Sequence, residues 1–212
     1  MTSNVADPDG APRGLSSRGA VYGRVDGLIV NRLSKETPSA RALRAQLRGA
    51  LGKEIGSIPA IWELTLDDRA GYLGDAPTQG ERAVHGALTL WALHQGSNAR
   101  PMHDGSERPR SFASAIRVVA EGQRGDKRPE ETPIYRRFSA AVQALTYEGL
   151  LVHLRSLISQ LESAEIPCDY AGLAADLFTW QDPRYRTSVM RAWGRQFART
   201  TQPPNADPAS DE

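Results

Sequence analysis

The stretch Glu81–Gln95, ERAVHGALTLWALHQ, decides the fold class. Its apolar residues cover most of a helical circumference instead of one stripe, which predicts a helix buried on several sides. Gly96 suits its C-terminal stop, because a residue without Cβ enters helix-ending conformations at no steric cost. Working outward, the same period recurs on both sides. Upstream, Val21, Val25, Leu28 and Ile29 fall at helical spacing. Thr37 and Pro38 read as the N-cap and first-turn proline of a helix through Leu43 and Leu47, and IPAIWELTL at 58–66 is a shorter apolar piece. Downstream, Ser111 caps a helix with Phe112, Ala115, Ile116 and Val119 inward. Thr132 and Pro133 repeat the cap signature before a stripe of Ile134, Phe138, Val142 and Leu145. Leu150, Leu154, Leu157, Ile158 and Leu161 form another stripe, ended by Pro167. Asp169 then caps a helix with Leu173, Leu177 and Trp180, and Asp182 with Pro183 starts a last helix ending near Arg199. No sustained period-two alternation marks a strand, and no internal repeat is present. The expected fold is all-α, a two-lobed helical bundle.

A chain of 212 residues can bury one substantial core or two smaller helical ones. With 40% hydrophobic and 24% charged residues its composition is that of a soluble globular protein. It contains no run of the ~20 apolar residues that a membrane span needs. The start lacks the basic head and apolar middle of a secretion signal, and the single cysteine, Cys168, can form neither an internal disulfide nor a cysteine-rich zinc site. The expected location is cytoplasmic. Residues 1–19 and 200–212, rich in Pro, Asp, Ser, Gly and Asn, are expected to be flexible tails. The charged stretch GQRGDKRPEE at 122–131 reads as a connector between an N-terminal lobe, 20–121, and a C-terminal lobe, 132–199.

Three of the four histidines, His85, His94 and His103, together with Asp104, offer the constellation of a metal-dependent hydrolase. The spacing argues against it: zinc ligands favour one helical turn or tight Cys/His pairs, and His85 and His94 are nine residues apart. No nucleophile or supporting carboxylate set accompanies them. Structural roles are expected instead, with His94 satisfying helix-end carbonyls while its ring packs inward and His103 pinning the following turn. Asp67, Asp68 and Asp75 are read as turn caps and solvated charges instead of a two-metal site. Trp62, Trp91, Trp180 and Trp193 are all expected in the core, and nothing beside Cys168 activates its thiol. No catalytic residue, metal or cofactor is assigned.

The net charge is only +1, from 26 basic and 25 acidic residues, so what matters is how the cations are segregated. On the last helix, PRYRTSVMRAWGRQFAR, Arg184, Arg191, Arg195 and Arg199 fall within roughly 80° of one another at about 100° per residue, opposite Val189, Trp193 and Phe197. No acidic residue lies between Arg184 and Arg199. Arginines near a helix C-terminus also favour the dipole, so part of this pattern is helix stabilisation. Further clusters are Arg41, Arg44 and Arg48 at helical spacing, Arg124, Lys127 and Arg128 in the connector, and the pair Arg136 and Arg137 just after it. Several cations that replace condensed counterions, with guanidinium forks on phosphates, are what a non-specific nucleic-acid groove requires. A helix-turn-helix regulator is the alternative DNA-binding reading, but the last helix is short of the Asn, Gln and Ser side chains that discriminate base edges.

The blocks IPAIWEL (58–64), ALTLWALHQGSNARPMH (87–103), HLRSLISQLESAEIPCDYAGLAADLFTWQD (153–182) and RAWGRQF (191–197), in this order, resemble the CasB family, the small subunit of the type I-E CRISPR surveillance complex Cascade. The resemblance covers roughly residues 20 to 199, and the last two blocks are its most specific part. It implies an all-α, two-lobed, non-catalytic protein present as two copies, packed against the crRNA-bearing backbone and the large subunit. There it binds nucleic acid and holds the displaced strand of the target DNA, stabilising the R-loop. Residue by residue, the resemblance places Arg44, Arg48, Arg136 and Arg137 where family members carry basic residues. Arg191 and Arg195 flank the tryptophan of RAWGRQF, and Arg117 and Arg155 lie on helices beside these segments, with intramolecular pairing the alternative for both, for example Arg155 with an acidic neighbour.

Overall fold

Most helices begin where a Ser, Thr or Asp precedes an apolar run, because such a side chain accepts the N–H groups that a helix start leaves unpaired. A computed structural model describes residues 14–67 and 76–199. Of the expected tails, residues 1–13 and 200–212 lie outside the described residues, as do Asp68 and Asp75, whereas the end of the first tail is structured: Leu15 is buried and Arg18 and Gly19 belong to the first helix. The elements are α1 (Arg18–Leu28), α2 (Pro38–Ala50), α3 (Trp62–Thr65), α4 (Gln79–Gln95), α5 (Phe112–Gln123), α6 (Pro133–Val142), α7 (Tyr147–Ala164), α8 (Tyr170–Trp180) and α9 (Pro183–Ala198). The all-α expectation holds: among the described residues there is no strand, only an isolated bridge between His103 and Cys168. No helix among them is long and apolar enough to cross a membrane.

Thr37, Ser111, Thr132 and Asp169 accept N–H groups of the first turns of α2, α5, α6 and α8, as the sequence predicts. The start of α4 lies two residues before the expected Glu81. Thr78 is the cap, and Glu81 reaches back to the Thr78 N–H, closing a reciprocal pair. Helix α1 runs on into a π-helical turn, Ile29–Leu33, which keeps Ile29 and Leu33 buried.

Helix α4 is the central element. Thirteen of its 17 residues are buried, and it packs against α1, α2, α3, α7 and α8. Gly86 permits the approach of α7, since a Cβ there would come within 2.9 Å of the Tyr147 hydroxyl and 3.2 Å of Leu151. Helix α8 lies against α1, α4 and α9, while α5 packs on α9, α6 and α7. One hydrophobic cluster runs from Leu15 to Phe197 and draws on helices from both sides of residues 122–131. The two lobes proposed from the sequence would therefore meet over buried apolar surface.

Two core expectations fail. Leu145 is 84% exposed because α6 ends at Val142, so the helical register that placed it inward does not reach it. Trp62 is 47% exposed, with its indole N–H donated to the Gly56 carbonyl at 2.6 Å, whereas Trp91, Trp180 and Trp193 are buried.

Candidate nucleic-acid interface

Helix α9 is held by its aromatic side. Trp193 meets Phe112 and Phe138, Phe197 meets Phe138 and Tyr135, and the ring centroids of these pairs lie 5.0 to 6.4 Å apart. The Trp193 indole N–H donates to Asp176 on α8 at 2.8 Å, and Arg18 of α1 donates to the same carboxylate at 3.0 Å. Burial pushes the Asp176 carboxyl above the usual range, and these two donors pull it back. The helix is thus anchored through its aromatic side and cannot roll without breaking these contacts.

On the opposite side Arg191, Arg195 and Arg199 are exposed, and none has an ion-pair partner among the described residues. They follow at intervals of four, so successive guanidinium stems stand one helical turn apart. Arg184, expected as the first member of this stripe, differs. Its guanidinium is paired with the cap carboxylate of Asp182 at 2.6 Å and lies over the Tyr185 ring, and Arg184 holds the Asp182 carboxyl below its ordinary range. Asp182 precedes the helix as its cap and so lies outside the acid-free span from Arg184 to Arg199.

Helix α6 presents Arg136 and Arg137, both exposed and without an ion pair among the described residues, while Phe138 faces α9. The two arginine sets are therefore mounted on helices whose aromatic sides touch. Arg48 on α2, Lys127 in the connector and Arg155 on α7 are likewise exposed and without an ion pair among the described residues. Pairing of Arg155 with an acidic neighbour is not seen there.

The remaining expected cations are engaged internally. Arg44 donates to the carbonyls of Leu33 at 2.7 Å and Lys35 at 3.2 Å, tying α2 to the turn before it, and its side chain is only 14% exposed. Arg117 bonds Glu121 and Glu130 and stacks on Phe197, with 11% of its side chain exposed. Arg41 pairs with Glu36, Arg124 with Glu121 and Arg128 with Glu131. Such exposed pairs are weak and exchange readily with phosphate, whereas Arg44 and Arg117 serve as joints of the fold.

The histidine constellation disperses. His94 is buried, and its Nδ1 lies 2.8 Å from the Tyr170 hydroxyl on α8, while the Leu161 carbonyl in the last turn of α7 also acts on the ring. His103 accepts the Tyr170 N–H at Nδ1, which leaves Nε2 to donate to Asp26 at 3.1 Å. This fastens the turn after α4 to both α8 and α1, alongside the bonds Cys168 N–H to Met102 O and Asp104 N–H to Cys168 O. Asp104 accepts the N–H groups of Ser106 and Arg110. His85 lies apart, in the wall of a groove beside α7. Burial pushes both His85 and His94 down to about 4, and burial raises the Cys168 thiol. Among the described residues no three His, Cys, Asp or Glu side chains are grouped to hold a metal.

The profile of the CRISPR-associated protein Cse2 family matches residues 43–197. Among solved structures, CasB from Thermobifida fusca is 30% identical, with a TM-score of 0.65 over 85% of this chain and 96% of that one. A CRISPR-associated protein of the Cse2 family from Thermus thermophilus is 22% identical, with a TM-score of 0.58 over 85% and 96%. A chain of a CRISPR RNA-guided surveillance complex is 23% identical, with a TM-score of 0.54 over 86% and 92%, and shares the fold. A search of curated protein sequences found no match. Nearly three quarters of the sequence fits one family profile and the fold of a 30% identical CasB covers 85% of it; the chain belongs to the CRISPR-associated Cse2 (CasB) family.

Proposed function

We propose that this protein is a non-catalytic small subunit of a type I-E crRNA-guided surveillance complex of the Cascade kind, acting in the cytoplasm, that binds the displaced DNA strand and stabilises the R-loop. The single observation that carries the reading is the face of α9, where Arg191, Arg195 and Arg199 are exposed, unpaired among the described residues and fixed from behind by Trp193 and Phe197. Because exchanging a DNA duplex for an RNA–DNA duplex is nearly balanced in energy, a few phosphate contacts decide whether the opened state persists. Arg136 and Arg137 on the neighbouring α6 extend the same chemistry. The partners are the crRNA, the target DNA, the backbone and large subunits, and a second copy of this chain. No cofactor enters.

The test replaces Arg191, Arg195, Arg136 and Arg137 by Ala. All four are exposed, so the fold should survive with little loss. Complexes with the variant should assemble on crRNA by native mass spectrometry, yet show weaker permanganate reactivity along the displaced strand. Undiminished footprints from a fully assembled quadruple variant would falsify the strand-holding role.

A further inference from the structure

A second feature is lined by none of the arginines on α6 and α9. The segment following α2, the N-terminal half of α4 and the first turns of α7 enclose an open groove of about 440 Å³. Cavities of this order accommodate small organic groups when apolar walls are joined by a few placed polar ones. Leu151 supplies an apolar wall, and Val152, 68% exposed, an apolar rim. The groove also has an unusual set of cations. Arg155 and Lys53 both line it, are exposed and have no ion pair among the described residues. Arg82 offsets Glu148 at 3.6 Å, which leaves Glu54 as the uncompensated carboxylate on a rim with two uncompensated cations. His85, 6% exposed, makes no side-chain hydrogen bond to another described residue. Desolvation keeps its ring neutral, so it offers one N–H donor and one bare nitrogen acceptor, the pair of functions that the edge of a nucleobase complements.

We propose that this groove receives one unstacked nucleotide of a single-stranded nucleic acid, with the phosphate between Arg155 and Lys53 and the base against Leu151 and Val152, its edge toward His85. The inference rests on the nucleic-acid reading above and adds a base pocket to a surface otherwise built for phosphates. A single strand is the fitting occupant because its bases are free to leave the stack, and pockets that combine apolar walls with flanking cations take such bases with little sequence preference.

The experiment places iodouracil either in the displaced DNA strand or in the guide RNA of the assembled complex and maps photo-crosslinks by peptide mass spectrometry. Crosslinks to α4 or α7 peptides containing His85 or Tyr147 are expected from one of the two arms, which identifies the source of the strand. Exchanging Arg155 and Lys53 for Glu should cut that yield by roughly tenfold, the loss expected when charge-assisted phosphate contacts are removed. Val152→Trp fills the groove from an exposed position without altering charge and should abolish the groove crosslinks while permanganate footprints persist. Crosslinks confined to α6 and α9 would overturn the groove and leave the strand-holding role standing. Loss of all strand crosslinks and footprints would overturn both. A benzophenone at Val152 that captures a partner-subunit peptide instead of nucleic acid would also overturn the groove.

Discussion

His94 and His103 sit in a stretch whose histidines and aspartate suggest chemistry, yet each is tied to Tyr170, a residue far along the chain. The short spacing was legible in the sequence; the partners were not, because they come from α8 and α1 and no local pattern announces a contact between residues 76 or 77 positions apart. The same holds for the arginines. Nothing in the sequence separates Arg44, locked onto the Leu33 carbonyl, from Arg48 one turn later, which is free for a ligand. Replacing His94 by Ala removes a ring that is 0% exposed and leaves the buried Tyr170 hydroxyl without this partner. A loss of about 2–4 kcal/mol is expected from the cavity and the lost hydrogen bond together, read as a lower midpoint in urea. His103→Ala orphans the Tyr170 N–H and releases the half-exposed Asp26 carboxylate to water, and should cost about 1–2 kcal/mol, with R-loop formation in the assembled complex largely retained. A loss of R-loops at full assembly would give His103 a role in binding that its contacts do not suggest.

Helix boundaries were largely legible, for a physical reason: caps are local. Thr132 before Pro133 and Asp182 before Pro183 fix their helices through bonds within three residues, and those elements start where the sequence places them. What failed, failed at ends without such signals. Leu145 continues the α6 stripe by spacing, but the helix stops at Val142, and the π-helical turn after α1 has no sequence mark. Thr132→Ala should lower stability by about 1 kcal/mol, measurable in denaturant midpoints, because Thr132 also bonds the Pro129 carbonyl and ends the connector. On α9 the stripe divides into a member engaged by the helix cap and three that are not. Arg184→Ala should therefore barely change the salt dependence of single-strand binding by the complex, whereas Arg195→Ala should lower the slope of log affinity against log salt by close to one phosphate contact. Equal slopes for the two variants would show that the Asp182 pair opens in the bound state.

For the whole molecule, the near-neutral total charge conceals a separation between cations used as joints and cations left free, and a second separation in how protons couple to folding. His85 and His94 are both buried, and both are pushed from 6.5 down to about 4 by desolvation. In the unfolded chain each takes up a proton near pH 6.5, while in the folded chain each stays neutral until about pH 4. Between those limits the unfolded state binds more protons, so stability is complete above pH 6.5 and declines as the pH falls. At about 1.4 kcal/mol per unit, the two together can remove several kcal/mol across the window, a large part of the stability of a chain this size. Asp169 and Asp176, whose carboxyls are raised by burial, act in the opposite sense as acid is added and soften the decline toward its lower end. Thermal unfolding followed by circular dichroism should therefore show a melting temperature that drops steadily below pH 6.5, well before ordinary carboxylates titrate. His85→Leu together with His94→Phe removes both proton acceptors, and whatever it costs in absolute stability, its melting temperature should be nearly flat over the same range. A wild-type profile that stays flat down to pH 4, or a double variant as steep as the wild type, would show that the two rings are protonated within the folded chain and that α4 is wetter than its packing against α1, α2, α7 and α8 indicates.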